Sequence, residues 1–140
     1  MADDPRKGVH HGHGSRKERE RKLKKQRKEL ILQALRLQRK RQWIASRQHL
    51  TLALKLGDGA DLRRLFSVSY ERVGQLWPAV HHQEKALIYS AGSATDRLLL
   101  AGLYVKVGKK VQACQLIRIV RKERPEHLRA LQLATRHCGK

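Results

Sequence analysis

The chain has 140 residues, with 32 Lys or Arg against 12 Asp or Glu and a formal net charge of +20. That length holds one domain, and self-repulsion on this scale disfavours a lone compact monomer in low salt, so an anionic partner is expected: nucleic acid, an anionic membrane or an acidic protein. With hydrophobic residues at 40% and aromatics at 4%, the core is aliphatic and small, which excludes a large enzyme pocket.

Cys114 and Cys138 are far apart and lack the paired spacing of a zinc module or disulfide scaffold, so both thiols are expected to be reduced and structural. No run reaches the ~18 apolar residues of a membrane span. The start, Met1-Ala2-Asp3-Asp4-Pro5, has neither a secretory signal's apolar segment nor the acid-free character of an organelle presequence. A soluble intracellular protein with no membrane partner is expected.

The charge is unevenly placed: residues 1–50 hold 16 basic and 5 acidic residues, and residues 51–140 hold 16 and 7. Residues 1–14, rich in Gly and His, are expected to form a disordered arm. His10, His11 and His13, like His81-His82 further on, have no Cys or carboxylate at ligand spacing, so they read as a polar tail and a surface turn rather than a metal site. Ser15 with Glu18 three residues on is a capping-box signature, and no Gly or Pro follows until Gly57, which predicts one long helix over 15–56. Over Arg16–Arg47 alone it would run about 48 Å, so its first half is expected to project from the body. Arg16–Lys28 contains a single apolar residue, Leu23. Leu30, Ile31, Ala34, Leu35, Leu37, Trp43 and Ile44 form a one-sided apolar stripe.

Gly57-Asp58-Gly59 opens a helical-repeat body over 57–140. Residues 60–93 and 94–127 align without gaps, with identities at Ala60/Ala94, Arg63/Arg97, Leu65/Leu99, Tyr70/Tyr104, Val73/Val107, Gly74/Gly108 and Ala79/Ala113. A period of 34 residues is that of a helix-turn-helix solenoid unit. Leu65, Phe66 and Tyr70 share one helix face, Gly74 and Gly108 stand where a helix C-cap is needed, and Ala79 and Ala113 let a second helix approach closely. In the second copy the order Leu100, Ala101, Tyr104, Gly108, Ala113, Ile117, Val120, Pro125 resembles the tetratricopeptide repeat. Tyr104, Lys106, Gly108 and Ala113 are also similar to the pentatricopeptide family, which binds single-stranded RNA, although the spacing favours the tetratricopeptide class. The resemblance covers about half the chain. Arg63 and Arg97 depart from it, standing where a large apolar residue is usual. It implies an all-α fold of antiparallel helix pairs forming a short solenoid, with 126–138 as a C-terminal capping helix and Leu30–Ile44 capping the other end.

Arg16, Lys17, Arg19, Arg21, Lys22, Lys24, Lys25, Arg27 and Lys28 place nine cations in thirteen residues, around the whole helix circumference, as arginine-rich segments that bind RNA phosphates do. Arg39, Lys40 and Arg41 continue the series. Lys109, Lys110, Arg121 and Lys122, with Lys106, Arg118 and Arg124, read as a second phosphate-binding face in the last repeat. Leu23, Leu30, Leu37 and Ile44 recur every seven residues as in a basic leucine zipper, but Arg27 and Arg41 fall in the seam and oppose pairing. No catalytic triad, carboxylate pair, metal motif or phosphate loop is present, so a non-enzyme with no cofactor, metal or small-molecule substrate is expected.

The expected function is a non-catalytic, RNA-binding structural component of a ribonucleoprotein, of which a ribosome-associated protein is one form. The basic helix would meet RNA phosphates while the repeat docks on a protein partner. Nucleus, cytoplasm and organelle all stay open. The alternatives are a protein-protein adaptor whose basic tract is a nuclear-import signal, a small viral nucleic-acid-binding protein such as a silencing suppressor, and, last, a zipper-type DNA-binding dimer.

Overall fold

The computed structural model describes residues 5–139, with side chains described from Ser15 to Gly139. The described chain is all α: α1 (Pro5–Arg39), α2 (Trp43–Leu56), α3 (Ala60–Arg72), α4 (Leu76–Tyr89), α5 (Ala94–Lys106), α6 (Lys110–Glu123), α7 (Leu128–Leu133) and a closing π-helical turn, Ala134–Cys138. Each helix packs on the next in chain order, so α1/α2, α3/α4 and α5/α6 are three antiparallel hairpins stacked side by side, closed by α7. Of the expected arm over 1–14, residues 1–4 lie outside the description. Only the backbone of 5–14 is described, within α1, and the three histidines' side chains lie outside it.

The expected single helix over 15–56 is instead two helices. The chain reverses at Lys40-Arg41-Gln42, with Arg41 at φ 60°, and neither Gly nor Pro announces the break. Folding back lets Leu30, Ile31 and Ala34 of α1 meet Leu50 and Ala53 of α2, and this pair then covers Leu62 and Phe66 of α3. Complete burial of Leu50 alone is worth about 2 kcal/mol, enough to offset the ~1–2 kcal/mol of a left-handed non-glycine residue. The reversal also cuts the heptad series before Ile44, which is exposed beyond the turn.

The three turns have the same hydrogen bonding. Gln42 N–H donates to the Leu37 carbonyl, Gln75 N–H to that of Tyr70 and Lys109 N–H to that of Tyr104, each around a positive-φ residue: Arg41, Gly74 and Gly108. These are Schellman closures. The same closure ends α4 at Ala91, so the likeness of α1/α2 to the next hairpins rests on spacing as well: its turn lies 33 rather than 34 residues before the next. The core repeats in step. Ala34, Ser67 and Ala101 are buried on the first helices, and Ser46, Ala79 and Ala113, then Ala53, Ala86 and Val120, on the second. Small side chains at these crossings let the helices approach closely, and Leu98, Ile117, Ala130 and Leu133 fill the last layer.

The expectation of reduced thiols is overturned. Cys114 on α6 and Cys138 in the closing turn are joined by a disulfide, their Cα atoms 5.6 Å apart. Their separation of 24 residues hid the pair, because the turn at Arg124–His127 brings the last helix back onto α6. The surface-turn reading of His81-His82 also fails. Both are in α4, and His82 is partly buried, its ring stacked on Phe66 at 4.6 Å and on Tyr70 at 5.4 Å.

Candidate nucleic-acid interface

α1 outruns its partner. α2 ends beside Arg27, whose Nε donates to the Gly57 carbonyl at 2.8 Å and whose guanidinium pairs with Asp61 at 3.0 Å. Every residue of 16–26 on the N-terminal side of that pin is exposed, Leu23 included. Arg16, Lys17, Arg19, Arg21, Lys22, Lys24 and Lys25 therefore lie on a helix segment that touches no core. Lys28 is exposed just past the pin. Arg27 stands apart from the others, since its side chain fastens α1 to the α2–α3 loop.

The other expected cations do not form one surface. Arg39, Lys40 and Arg41 lie at the α1/α2 turn, about 16 Å along the helix from Lys28 at 1.5 Å per residue. Lys109 and Lys110 begin α6, whereas Arg121 and Lys122 end it, near the Arg97–Glu123 pair. The antiparallel packing thus splits the cations between two edges of the array, the edge of the three hairpin turns and the edge of the loops between hairpins.

The loop edge is where most of the body's acids are used. Asp58 receives Arg63 Nη2 at 2.6 Å and Tyr89 Oη at 3.0 Å, and the Arg63 bond holds its carboxyl down at about 2. Asp96, with no exposed surface, receives Arg64 Nε and Nη2 at 2.6 and 2.7 Å, Gln83 Nε2 at 2.9 Å and Ser93 Oγ at 3.0 Å. Burial pushes that carboxyl up, but the hydrogen bonds led by Arg64 outweigh it and hold it at about 2. Arg63 and Arg97 are accounted for here, since each fastens a loop-edge acid in place of the apolar residue the repeat pattern would put there.

The turn edge is different in kind. Arg39 and Arg41 of the first turn and Arg72 of the second border a depression of about 400 Å³ with Trp43 and Gln38. A second hollow of about 340 Å³ joins Trp43, Ile44 and Ala45 to Val73. From the third turn, Lys109 Nζ lies 5.4 Å from the centre of the Trp77 ring, and Trp77 is 56% exposed. Arg72, Trp43 and Trp77, which the sequence reading did not place at a site, are brought to this edge as well. The signal available was the recurrence of Gln-Trp at 42–43 and Gln-Leu-Trp at 75–77 directly after the first two turns. Along the face of α3 and α5 runs an apolar groove of about 340 Å³, lined by Val68, Leu98, Leu99 and Leu103 and bounded by Arg129. No family model matches the chain, and no curated protein matches it. Among the described residues no helix is long and apolar enough to cross a membrane.

Proposed function

We propose that this chain is a non-catalytic, RNA-binding structural component of a ribonucleoprotein, a ribosome-associated particle being one such setting, with α1 as its electrostatic arm. The observation that carries the reading is the overhang of α1, where seven cations stand beyond the Arg27 pin on a segment with no packing role. Cations presented all round a helix suit the closely spaced phosphates of folded RNA, and they bind it without reading sequence. The body is read as a short tetratricopeptide-like array. The small residues recurring at Ala34/Ser67/Ala101 and Ser46/Ala79/Ala113 support that, as do the matching turns. Its apolar groove between α3 and α5 is the face offered to a protein partner. The Cys114–Cys138 bridge weighs, among intracellular settings, toward an organelle compartment less reducing than cytosol or nucleus.

The test is binding of a folded RNA to the full chain and to a variant in which Arg16, Lys17, Arg19, Arg21, Lys22, Lys24 and Lys25 are Gln, which keeps helix propensity and leaves Arg27 in place. The reading expects affinity to fall at least a hundredfold at moderate salt. Unchanged affinity would contradict it and favour the adaptor with an import signal.

A further inference from the structure

We propose that the turn edge of the hairpin array holds a short stretch of single-stranded nucleic acid, with a base stacked on Trp77 and phosphates on Arg39, Arg41, Arg72 and Lys109. The proposal rests on the nucleic-acid reading above but uses a different surface, at the far end of the body from the α1 overhang.

Three observations carry it. First, the turns are contiguous: Arg72 of the second closes a depression with Arg39 and Arg41 of the first, and Lys109 of the third reaches over Trp77 beside the second. Second, no carboxylate lines either hollow at this edge, and Glu71, next to Arg72, is paired with Lys106. Among the described residues Arg39, Arg41, Arg72 and Lys109 are exposed and in no ion pair, Glu84 accepts from Tyr104 Oη, and Asp58, Asp61, Asp96 and Glu123 are paired at the opposite edge. Third, the Trp77 ring is left more than half exposed at this edge, with Lys109 Nζ over it. An exposed indole beside an ammonium group, next to a hollow bordered by the guanidinium groups of Arg39, Arg41 and Arg72, supplies both halves of single-strand binding: a π-face for a base, and charge for phosphates along the same strand. A duplex cannot use the ring, since its bases are already stacked on one another. An acidic peptide would satisfy the cations and leave Trp77 without a role.

The chain has two tryptophans, so Trp43→Phe, which keeps an aromatic ring at the Arg39–Arg41–Arg72 depression, leaves Trp77 as sole tryptophan reporter, with labelled single-strand affinity compared with wild type alongside. Its fluorescence is followed during titration with an oligouridine 12-mer, an RNA duplex of equal phosphate content and a polyglutamate peptide. The proposal expects saturable quenching by the single strand alone. It also expects Trp77→Ala to weaken single-strand binding about tenfold, the effect of losing one base stack, with duplex affinity unchanged. Trp77 emission left untouched while a labelled single strand is fully bound would overturn it, as would equal quenching by the duplex or the peptide. The α1 glutamine variant separates the two readings. If it binds folded RNA like wild type while Trp77 is still quenched, the arm fails and the turn edge stands. If it loses folded RNA and Trp77 is never quenched, the turn edge fails and the arm stands.

Discussion

Asp96 holds three helices together. It is the third residue past the Ser93 cap of α5, and its carboxylate gathers donors from α3 and α4 as well as from that cap. A buried carboxylate with its cation removed is far more costly than the pair is stabilising, so Arg64→Ala is expected to cost about 3 kcal/mol in urea unfolding. A loss under about 1 kcal/mol would mean that Gln83 and Ser93 suffice. His82 sets a pH dependence. Burial, then the positive charge of Arg63, hold its ring down at about 4 against an ordinary value of 6.5. The unfolded chain therefore takes up a proton between those values that the folded one refuses, and stability falls as pH drops from 6.5 to 4. Asp58 and Asp96, held at about 2, extend the loss below pH 4 by the same linkage, since their protonation favours the unfolded chain. His82→Phe, which keeps the stack on Phe66, is expected to flatten the pH profile of the urea midpoint between 4 and 6.5 alone. An unchanged slope there would refute the assignment. Only the Ser93–Asp96 contact, at capping-box spacing, was legible in the sequence, because Arg64, Gln83 and Asp96 meet only after two hairpins have stacked.

At the scale of the element, the helical hairpins of 60–127 could be read from periodicity and from the glycines, because Gly74 and Gly108 mark the left-handed closure directly. The first hairpin could not, because Arg41 fills that position and one residue is missing from the interval, so a gapless comparison never lines it up. The backbone requirement gives opposite effects at equivalent turns. Arg41→Gly is expected to stabilise by about 1 kcal/mol by relieving its left-handed strain, and Gly108→Ala to destabilise by about the same. A Cβ at Gly108 meets no atom within 4 Å, so the cost there is in the backbone. Thermal unfolding of both checks this, and shifts of the same sign would contradict it. The last element depends on its bridge. Closing a loop between residues 24 apart removes unfolded-state entropy worth about 3 kcal/mol. Cys138→Ser and reduced wild type should each unfold earlier by that amount, whereas coincident midpoints for oxidised and reduced protein would show that the packing of Leu133 and Ala134 holds α7 unaided.

Taken whole, the molecule keeps its charges in separate places: acids and their arginines lock the loop edge, unpaired cations and the exposed Trp77 border the turns, and the α1 overhang carries its load beyond both. The overhang was the most legible part of the candidate site, since a run such as Arg16–Gln26 with one Leu has no core to join. The division between edges was not legible, because residues adjacent in sequence, such as those of α6, reach opposite ends of the stack. The proposed block of phosphate contacts on α1 is tested most directly by the salt dependence of folded-RNA affinity. Each contact adds about 0.7–0.9 to the slope of log K against log salt. Replacing the seven cations of the overhang with Gln is expected to lower that slope by about 3 or more; equal slopes for the variant and the wild-type chain would contradict it.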